Sequence, residues 1–167
     1  MTRALEYAVT LLDCLTAAYE EVEPEFRPGQ ICLRHGTQGI PLLGTGADEC
    51  CNGLAWVRVA TVEPRYDRNE SVAACFPSTE VITLEIGAVF CMPWGSVQAP
   101  PTCDQWTQVA VRADSDRGAM KAAVCCARGI IAPEYTMLAQ QYLPYGPDGN
   151  CIGGTMTITV EADCGCA

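Results

Sequence analysis

The segment Glu80–Met92, EVITLEIGAVFCM, decides the fold. Apolar side chains alternate in it with polar or small ones, and a period of two places successive residues on opposite faces of a strand. One face carries Ile82, Leu84, Ile86, Ala88 and Phe90, and the other carries Thr83, Glu85 and Gly87. The pattern therefore predicts a long strand with one face buried in a core.

Further strands are predicted on both sides of this segment. Leu54–Glu63 (LAWVRVATVE) and Thr155–Glu161 (TMTITVE) are rich in β-branched residues, and Ile31–Arg34 is expected to form a short strand. The polar connection Pro64–Thr79 joins two long strands, which predicts an antiparallel pair. Gly and Pro residues in Leu143–Gly154 (LPYGPDGNCIGG) predict a turn.

Two long helices are predicted around these strands. In Thr2–Glu21, apolar residues recur at helical spacing and form a stripe. This stripe is Leu5, Ala8, Val9, Leu12, Leu15 and Tyr19. The second helix begins at Thr102-Cys103-Asp104-Gln105, which fits the S/T-x-x-E/Q capping box, and ends before Pro133. Its expected inward residues are Trp106, Val109, Ala110, Ala113, Met120 and Val124, with Arg112–Asp116 as an ion pair one turn apart.

This order of elements predicts a single α+β domain over residues 1–163, followed by a cysteine-containing tail at 164–167. An antiparallel sheet is expected to be covered by the N-terminal helix and the second long helix. The expected core is Leu5, Leu12, Val57, Val59, Ile82, Leu84, Ile86, Trp106, Val109, Val124 and Ile158.

Twelve cysteines without any Cys-x-x-Cys pattern are the most unusual feature of the composition. They are Cys14, Cys32, Cys50, Cys51, Cys75, Cys91, Cys103, Cys125, Cys126, Cys151, Cys164 and Cys166. The spacing favours disulfides over free buried thiols, and both over metal chelation, so no metal site is predicted. Adjacent cysteines diverge on a strand or helix, so Cys50–Cys51 and Cys125–Cys126 are expected to send their members to different partners. Cys91 and Cys103 are expected to bridge the loop between a strand and a helix.

The charge balance excludes a protein that grips nucleic acid through a basic surface. Twenty acidic residues face ten basic ones, and the formal net charge is −10. The N-terminal residues resemble a signal peptide, but Glu6 and Asp13 interrupt the apolar region, so we interpret them as mature sequence. A cysteine content typical of exported proteins is therefore unexpected, unless the chain is made in a cytosol and oxidised after release.

No constellation of residues predicts an enzyme or a cofactor. His35 is the only histidine, and no G-x-S-x-G accompanies it. Gly44-Thr-Gly46 lacks the strand and helix of a dinucleotide fingerprint. Asp114 and Asp116 are expected to be solvated carboxylates, and Arg128 is the only cation near Cys125 that could activate it.

Several words of the sequence, together with the element order, resemble the tail terminator family of long-tailed bacteriophages, in particular homologues from phages of actinobacteria. The most specific word is Tyr145–Gly154 (YGPDGNCIGG), before the last strand. The other matching residues are Cys50–Arg58, Phe76-Pro77, Leu84–Gly87 with Cys91 and Pro93, Asp116, Ala119-Met120 and Cys125-Cys126. The loop around Leu42–Gly46 and the Cys164-Gly-Cys166 tail depart from the family pattern.

The resemblance implies a structural protein of the virion, assembled in the host cytoplasm. Such proteins form a hexameric homo-oligomer that caps the tube of the major tail protein and meets the head-tail connector, while DNA passes through the lumen; no membrane is involved. A head-to-tail stopper or adaptor of the neck, and a disulfide-stapled secreted binding module, remain alternative interpretations.

A ring of six chains would carry six times the charge of one, so its interfaces must pair charges or bury apolar surface. The expected inter-subunit arginines are Arg58, Arg65, Arg68, Arg112, Arg117 and Arg128. Glu20, Glu21, Glu23 and Glu25 form the densest acidic cluster. A negative lumen would let DNA slide without sticking, although a solvated outer face is the favoured place for these four acids.

Overall fold

The central strand of the sheet lies in the alternating segment Glu80–Met92. The computed structural model describes residues 2–34, 50–65, 79–92, 100–131, 136–148 and 151–163. The elements are α1 (Arg3–Glu20), a 3-10 turn (Pro24–Phe26), β1 (Gln30–Arg34), β2 (Leu54–Arg65), β3 (Thr79–Cys91), α2 (Cys103–Ile131), β4 (Thr136–Asp148) and β5 (Cys151–Asp163). The predicted α+β class is confirmed.

The five strands form one open sheet in the order β1-β2-β3-β5-β4. The predicted antiparallel pairing of β2 with β3 is confirmed, and β5 pairs antiparallel with both β3 and β4. β1 is the exception, because it runs parallel to β2. Leu84 of β3 stands opposite Val59 on one side and Ile158 on the other, so the apolar residues of three strands lie in one row.

Both helices pack on the same face of the sheet and bury this row. Ile82, Leu84, Ile86 and Ile158 are fully buried there. From the helices, Leu11, Leu15, Met120, Ala123 and Ala127 contribute fully buried side chains to the same core. The alanines of α2 are small enough to let the two helices approach closely.

Some predicted core residues lie nearer the surface. Leu5 and Leu12 are half-buried, because the buried stripe of α1 is rotated by about one residue and includes Tyr7 instead. Val59 is half-buried because β2 leaves the core after Arg58. Trp106 is 42% exposed, so its assignment to the core was wrong. It lies one turn before the first buried residue of α2, Val109, where the helix has not yet reached the core.

The turn predicted at Leu143–Gly154 was also wrong in extent. Strands β4 and β5 pair antiparallel up to Asp148 and Cys151, so residues 143–148 and 151–154 are strand, and residues 149–150 lie outside the described residues. Pro144 does not prevent pairing because β4 is an edge strand, where one row of backbone groups needs no partner within the sheet. The register shifts between Ala139 and Tyr142 accommodate the irregular sequence.

The capping box that was predicted for α2 is present. The backbone N–H of Gln105 donates to Thr102 Oγ1 at 3.3 Å, and the backbone N–H of Thr102 donates to Gln105 Oε1 at 2.8 Å. This reciprocal pair satisfies two backbone donors at the start of a 29-residue helix. None of the described helices has the length and apolar character needed to cross a membrane.

Candidate functional site

The face of the sheet opposite α1 and α2, here named the second face, is built around a buried tryptophan. Trp56 is fully buried, and its indole lies across Gly87 of the neighbouring strand. A Cβ atom at position 87 would collide with the indole ring, so only glycine leaves room for it. Trp56 Nε1 donates to Glu85 Oε1 at 3.1 Å, and Arg58 Nη2 donates to Glu85 Oε2 at 2.7 Å. Each carboxylate oxygen of Glu85 therefore has its own donor.

Four cysteines meet at one end of the second face and form two disulfides. Cys50 is bonded to Cys151, and Cys51 is bonded to Cys91. Cys91 ends β3 and stands opposite Cys151, which begins β5. Cys50 and Cys51 lie in the turn before β2, which the backbone N–H of Gly53 closes by donating to the carbonyl of Cys50 at 2.9 Å. Gly53 has a φ of 72°, which favours glycine.

A third disulfide, Cys14–Cys126, joins the two helices. The prediction that adjacent cysteines take different partners is confirmed for Cys50 and Cys51. In the second doublet Cys126 is bonded, whereas Cys125 is exposed and free. Adjacent residues on a helix point about 100° apart, which explains why one of the two faces away from α1.

The predicted bridge between Cys91 and Cys103 was wrong. Cys91 is bonded to Cys51, and Cys103 is an exposed free cysteine in the first turn of α2. Strand pairing decides the outcome, because it brings the end of β3 beside the turn that leads into β2. Cys32 is free and half-buried, and Cys75, Cys164 and Cys166 lie outside the described residues.

A buried carboxylate holds the two helices together. Asp116 of α2 is only 2% exposed, and Tyr19 of α1 donates its hydroxyl proton to Asp116 Oδ1 at 2.9 Å. The predicted Arg112–Asp116 pair is confirmed, with 3.7 Å between Arg112 Nε and Asp116 Oδ2. The solvated carboxylate predicted at Asp116 was wrong, whereas Asp114 is exposed and pairs with Arg117.

Burial changes the pKa of the Asp116 carboxyl. It raises the pKa of Asp116 to about 6, although the Arg112 guanidinium and the Tyr19 hydroxyl act in the opposite direction. Within the described residues, Asp116 Oδ2 has no hydrogen-bond donor. The pKa of Tyr142 also rises, to about 12, through burial and the nearby charge of Asp116. Because the pKa of Asp116 is raised, its protonated form is favoured more in the folded chain than in the unfolded one.

Arg112 of α2 contacts both the segment that follows α1 and strand β3. Its Nη1 donates to the backbone carbonyl of Glu25 at 3.1 Å. Its guanidinium carbon lies 5.8 Å from the centre of the Phe26 ring and 4.9 Å from the centre of the Phe90 ring, within the range of cation–π attraction. Arg112 is therefore part of the internal framework of the subunit.

The six arginines expected at subunit interfaces differ in their surroundings. The buried Arg58 pairs with Glu85 and Arg112 pairs with Asp116 within the chain, and the assignment of the six arginines to interfaces stays a prediction. Arg65 pairs with Glu161, and Arg117 with Asp114, but both arginine side chains stay more than half exposed. Arg128 is exposed, and Arg68 lies outside the described residues.

Among the described residues, the edge strand β4 and a cavity beside α1 are exposed. The edge strand β4 is 13 residues long and carries Leu138 and Leu143 on the second face, 61% and 50% exposed. A cavity of about 560 Å³ lies between the end of α1 and the middle of α2, and Glu21, Glu23 and Asp114 are among its lining residues. The predicted acidic cluster, Glu20, Glu21, Glu23 and Glu25, is exposed.

The residues considered for catalysis are not brought together in the described part of the chain. His35 and Gly44–Gly46 lie outside it, and Arg128 and Cys125 are exposed on the last turns of α2. Sequence reasoning missed the edge strand and the buried state of Asp116. Asp116 was predicted to be solvated because a carboxylate on a helix is exposed by default, and the sequence of α2 alone does not show that α1 covers it. Neither the protein-family models nor the curated protein sequences compared with this chain match it.

Proposed function

We propose that this chain is a tail terminator of a long-tailed bacteriophage, a ring-forming protein that ends the tail tube and joins it to the head connector. One observation carries the proposal: a helix, an antiparallel strand pair, a long helix and a C-terminal strand follow one another, and both helices lie on one face of the sheet. The family that the sequence resembles has the same order. Strands β1 and β4 are additions to that order.

The edge strand supports assembly into a ring. A row of backbone N–H and C=O groups faces outward along an edge strand, and such an edge is a ready template for another chain. Leu138 and Leu143 add apolar surface beside it. In a closed ring, β4 of one subunit meets a different surface of the next, because head-to-tail interfaces are heterologous. Apolar contacts and edge pairing then offset the repulsion between subunits that each carry −10.

The acidic surface favours a lumen through which DNA passes without binding to it. Glu21, Glu23 and Glu25 are exposed at the end of α1, and the cavity beside them has further acidic lining. Carboxylates repel the phosphate backbone at short range, and salt screens this repulsion beyond roughly 8–10 Å. If this acidic end of α1 faces the lumen rather than the outer wall, DNA can slide past it during ejection.

The experiment is to polymerise the tail tube protein of the same particle with and without this chain, and to measure tube lengths by negative-stain electron microscopy. The wild-type chain should stop growth and appear as a ring at one end. Leu138→Lys should abolish the ring and restore long tubes, since it places a charge at the subunit contact. Ile130→Lys, at an equally exposed apolar residue of α2, is the matched control and should keep activity.

Other outcomes would contradict the proposal. A ring that binds the head connector while tube lengths stay unchanged indicates a stopper or adaptor. A monomer that interacts with neither the tube nor the connector indicates a stapled binding module. Light scattering on the isolated chain complements the assay, although terminators can stay monomeric until they meet the tube.

A further inference from the structure

The four cysteines at the end of the second face form a compact group of sulfur atoms. The Sγ atoms of Cys50, Cys51 and Cys91 all lie within 4.8 Å of one another, and the fourth, Cys151, is bonded to Cys50. In a tetrahedral zinc site with four thiolates, Zn–S bonds of about 2.3 Å place the sulfur atoms about 3.8 Å apart. To match such a site, the two sulfurs of each opened disulfide must move apart from bonding distance, and the widest separation among the three must shorten by up to about 1 Å.

The geometry points to a zinc-binding site in the reduced chain: Cys50, Cys51, Cys91 and Cys151 bind one Zn²⁺ when both of their disulfides are open. This inference is independent of the proposed function. Thiolate sulfur is a soft ligand that selects zinc among the abundant divalent ions, and four such ligands close a structural site. The same four residues then join β2, β3 and β5 by metal in a reducing compartment and by disulfides after oxidation.

The fold brings the ligands together before any metal arrives. Cys91 and Cys151 are held opposite each other by the backbone pairing of β3 with β5 along thirteen residue pairs. Cys50 and Cys51 are held by a turn with its own backbone hydrogen bond. Cys50 and Cys151 are buried, beside the apolar Leu54, which keeps water away from part of the site. A preorganised site loses less entropy when the metal binds.

The exchange between the two states balances. Opening the two disulfides consumes four electrons and four protons, which two molecules of a small dithiol supply as each is oxidised to its own disulfide. Zn²⁺ then binds the four sulfurs as thiolates, and four protons leave to solvent. Oxidation in the opposite direction needs a disulfide or comparable thiol oxidant, and it releases the metal.

The test uses the full chain, reduced with a dithiol, freed from the reductant without air, and titrated with Co²⁺ as a spectroscopic substitute for Zn²⁺. One equivalent should bind and give the intense visible bands of tetrahedral thiolate coordination, and Zn²⁺ should displace it. The oxidised chain should give no such bands. Cys91→Ser should weaken binding by more than the ~10–100-fold that outer-shell changes cost. Cys103→Ser and Cys125→Ser, at exposed free cysteines, should leave binding unchanged.

A second measurement needs no variant and so does not depend on a substituted chain folding. The reduced wild-type chain is alkylated with and without Zn²⁺, and the modified residues are identified by mass spectrometry. Zn²⁺ should protect Cys50, Cys51, Cys91 and Cys151, while Cys103 and Cys125 react equally in both samples. Absence of thiolate bands in the reduced wild type, or equal alkylation of the four residues with and without Zn²⁺, would overturn the inference.

Discussion

Replacing Asp116 by Asn should change how the stability of the protein depends on pH. Burial raises the pKa of Asp116 from 3.8 to about 6 in the folded chain. A rise of about two units corresponds to about 3 kcal/mol. Because the folded pKa is the higher one, the folded chain binds the proton more tightly than the unfolded chain does. The contribution to stability is therefore fully present below the unfolded pKa and is lost as the pH rises through the folded pKa.

The groups around Asp116 define the variant. Tyr19 donates to Oδ1, an acceptor that Asn retains, whereas Arg112 loses its charged partner. Between about pH 4 and pH 7, the wild type should lose up to about 3 kcal/mol relative to Asp116→Asn. Other carboxylates titrate in both proteins and cancel in this difference. The free energy of unfolding of the wild type, relative to that of the variant, should therefore be highest at low pH and should fall as the pH rises.

The assay is urea unfolding, followed by circular dichroism, at a series of pH values under oxidising conditions. The free energy of unfolding of Asp116→Asn minus that of the wild type should rise across the interval. Asp114→Asn is the control, because Asp114 lies on the same helix but is exposed. Parallel curves for the wild type and Asp116→Asn would refute the reasoning, since they would show that burial does not shift this carboxyl.

Three further changes test the packing and the cross-links, each by thermal or urea unfolding. Leu84→Ala should cost about 2–5 kcal/mol, because Leu84 is fully buried in the centre of the sheet. Gly87→Ala should cost about 1–3 kcal/mol, because the new methyl group must displace the buried indole of Trp56. Cys14→Ser should cost up to about 5 kcal/mol in oxidised protein, since the disulfide spans 112 residues, and nothing comparable in reduced protein.

Each of these changes has a matched control elsewhere in the chain. Val62→Ala removes an exposed side chain from a neighbouring strand and should have little effect. Gly118→Ala meets no atom within 4 Å and should stabilise α2 by up to about 1 kcal/mol. Cys125→Ser should leave stability unchanged in both redox states. A loss in a control as large as in its test variant would show that the assigned contact is not the cause.

The sequence predicts the elements whose local pattern agrees with their final environment. The alternation in β3 and the capping box of α2 depend on neighbouring residues, and both were correctly predicted. Strand β4 was missed because Pro144 and Gly146 usually mark turns. An edge strand tolerates these residues because half of its backbone groups need no partner within the sheet. Local rules cannot show which strand will lie at an edge.

The candidate site was less predictable because distant segments build it. A thiol spacing without Cys-x-x-Cys argues against metal binding, yet the sheet gathers Cys50, Cys91 and Cys151 from three separate elements. The sequence similarly predicts Asp116 at the surface, whereas in the fold Tyr19 of α1 packs against it and donates a hydrogen bond to it. Pairing between remote side chains is decided by tertiary packing, on which helical or strand periodicity has no bearing.

The central proposal, that the chain ends the tail tube, is tested most directly by cryo-electron microscopy of the neck of the intact particle. The account predicts a sixfold ring between the last ring of the tube and the head connector, into whose subunit density the two helices and the five-stranded sheet fit. In that map, β4 should lie against the neighbouring subunit, and acidic side chains should face the DNA. Density for this fold on the head side alone, without contact to the tube, or a lumen lined by arginines, would contradict it.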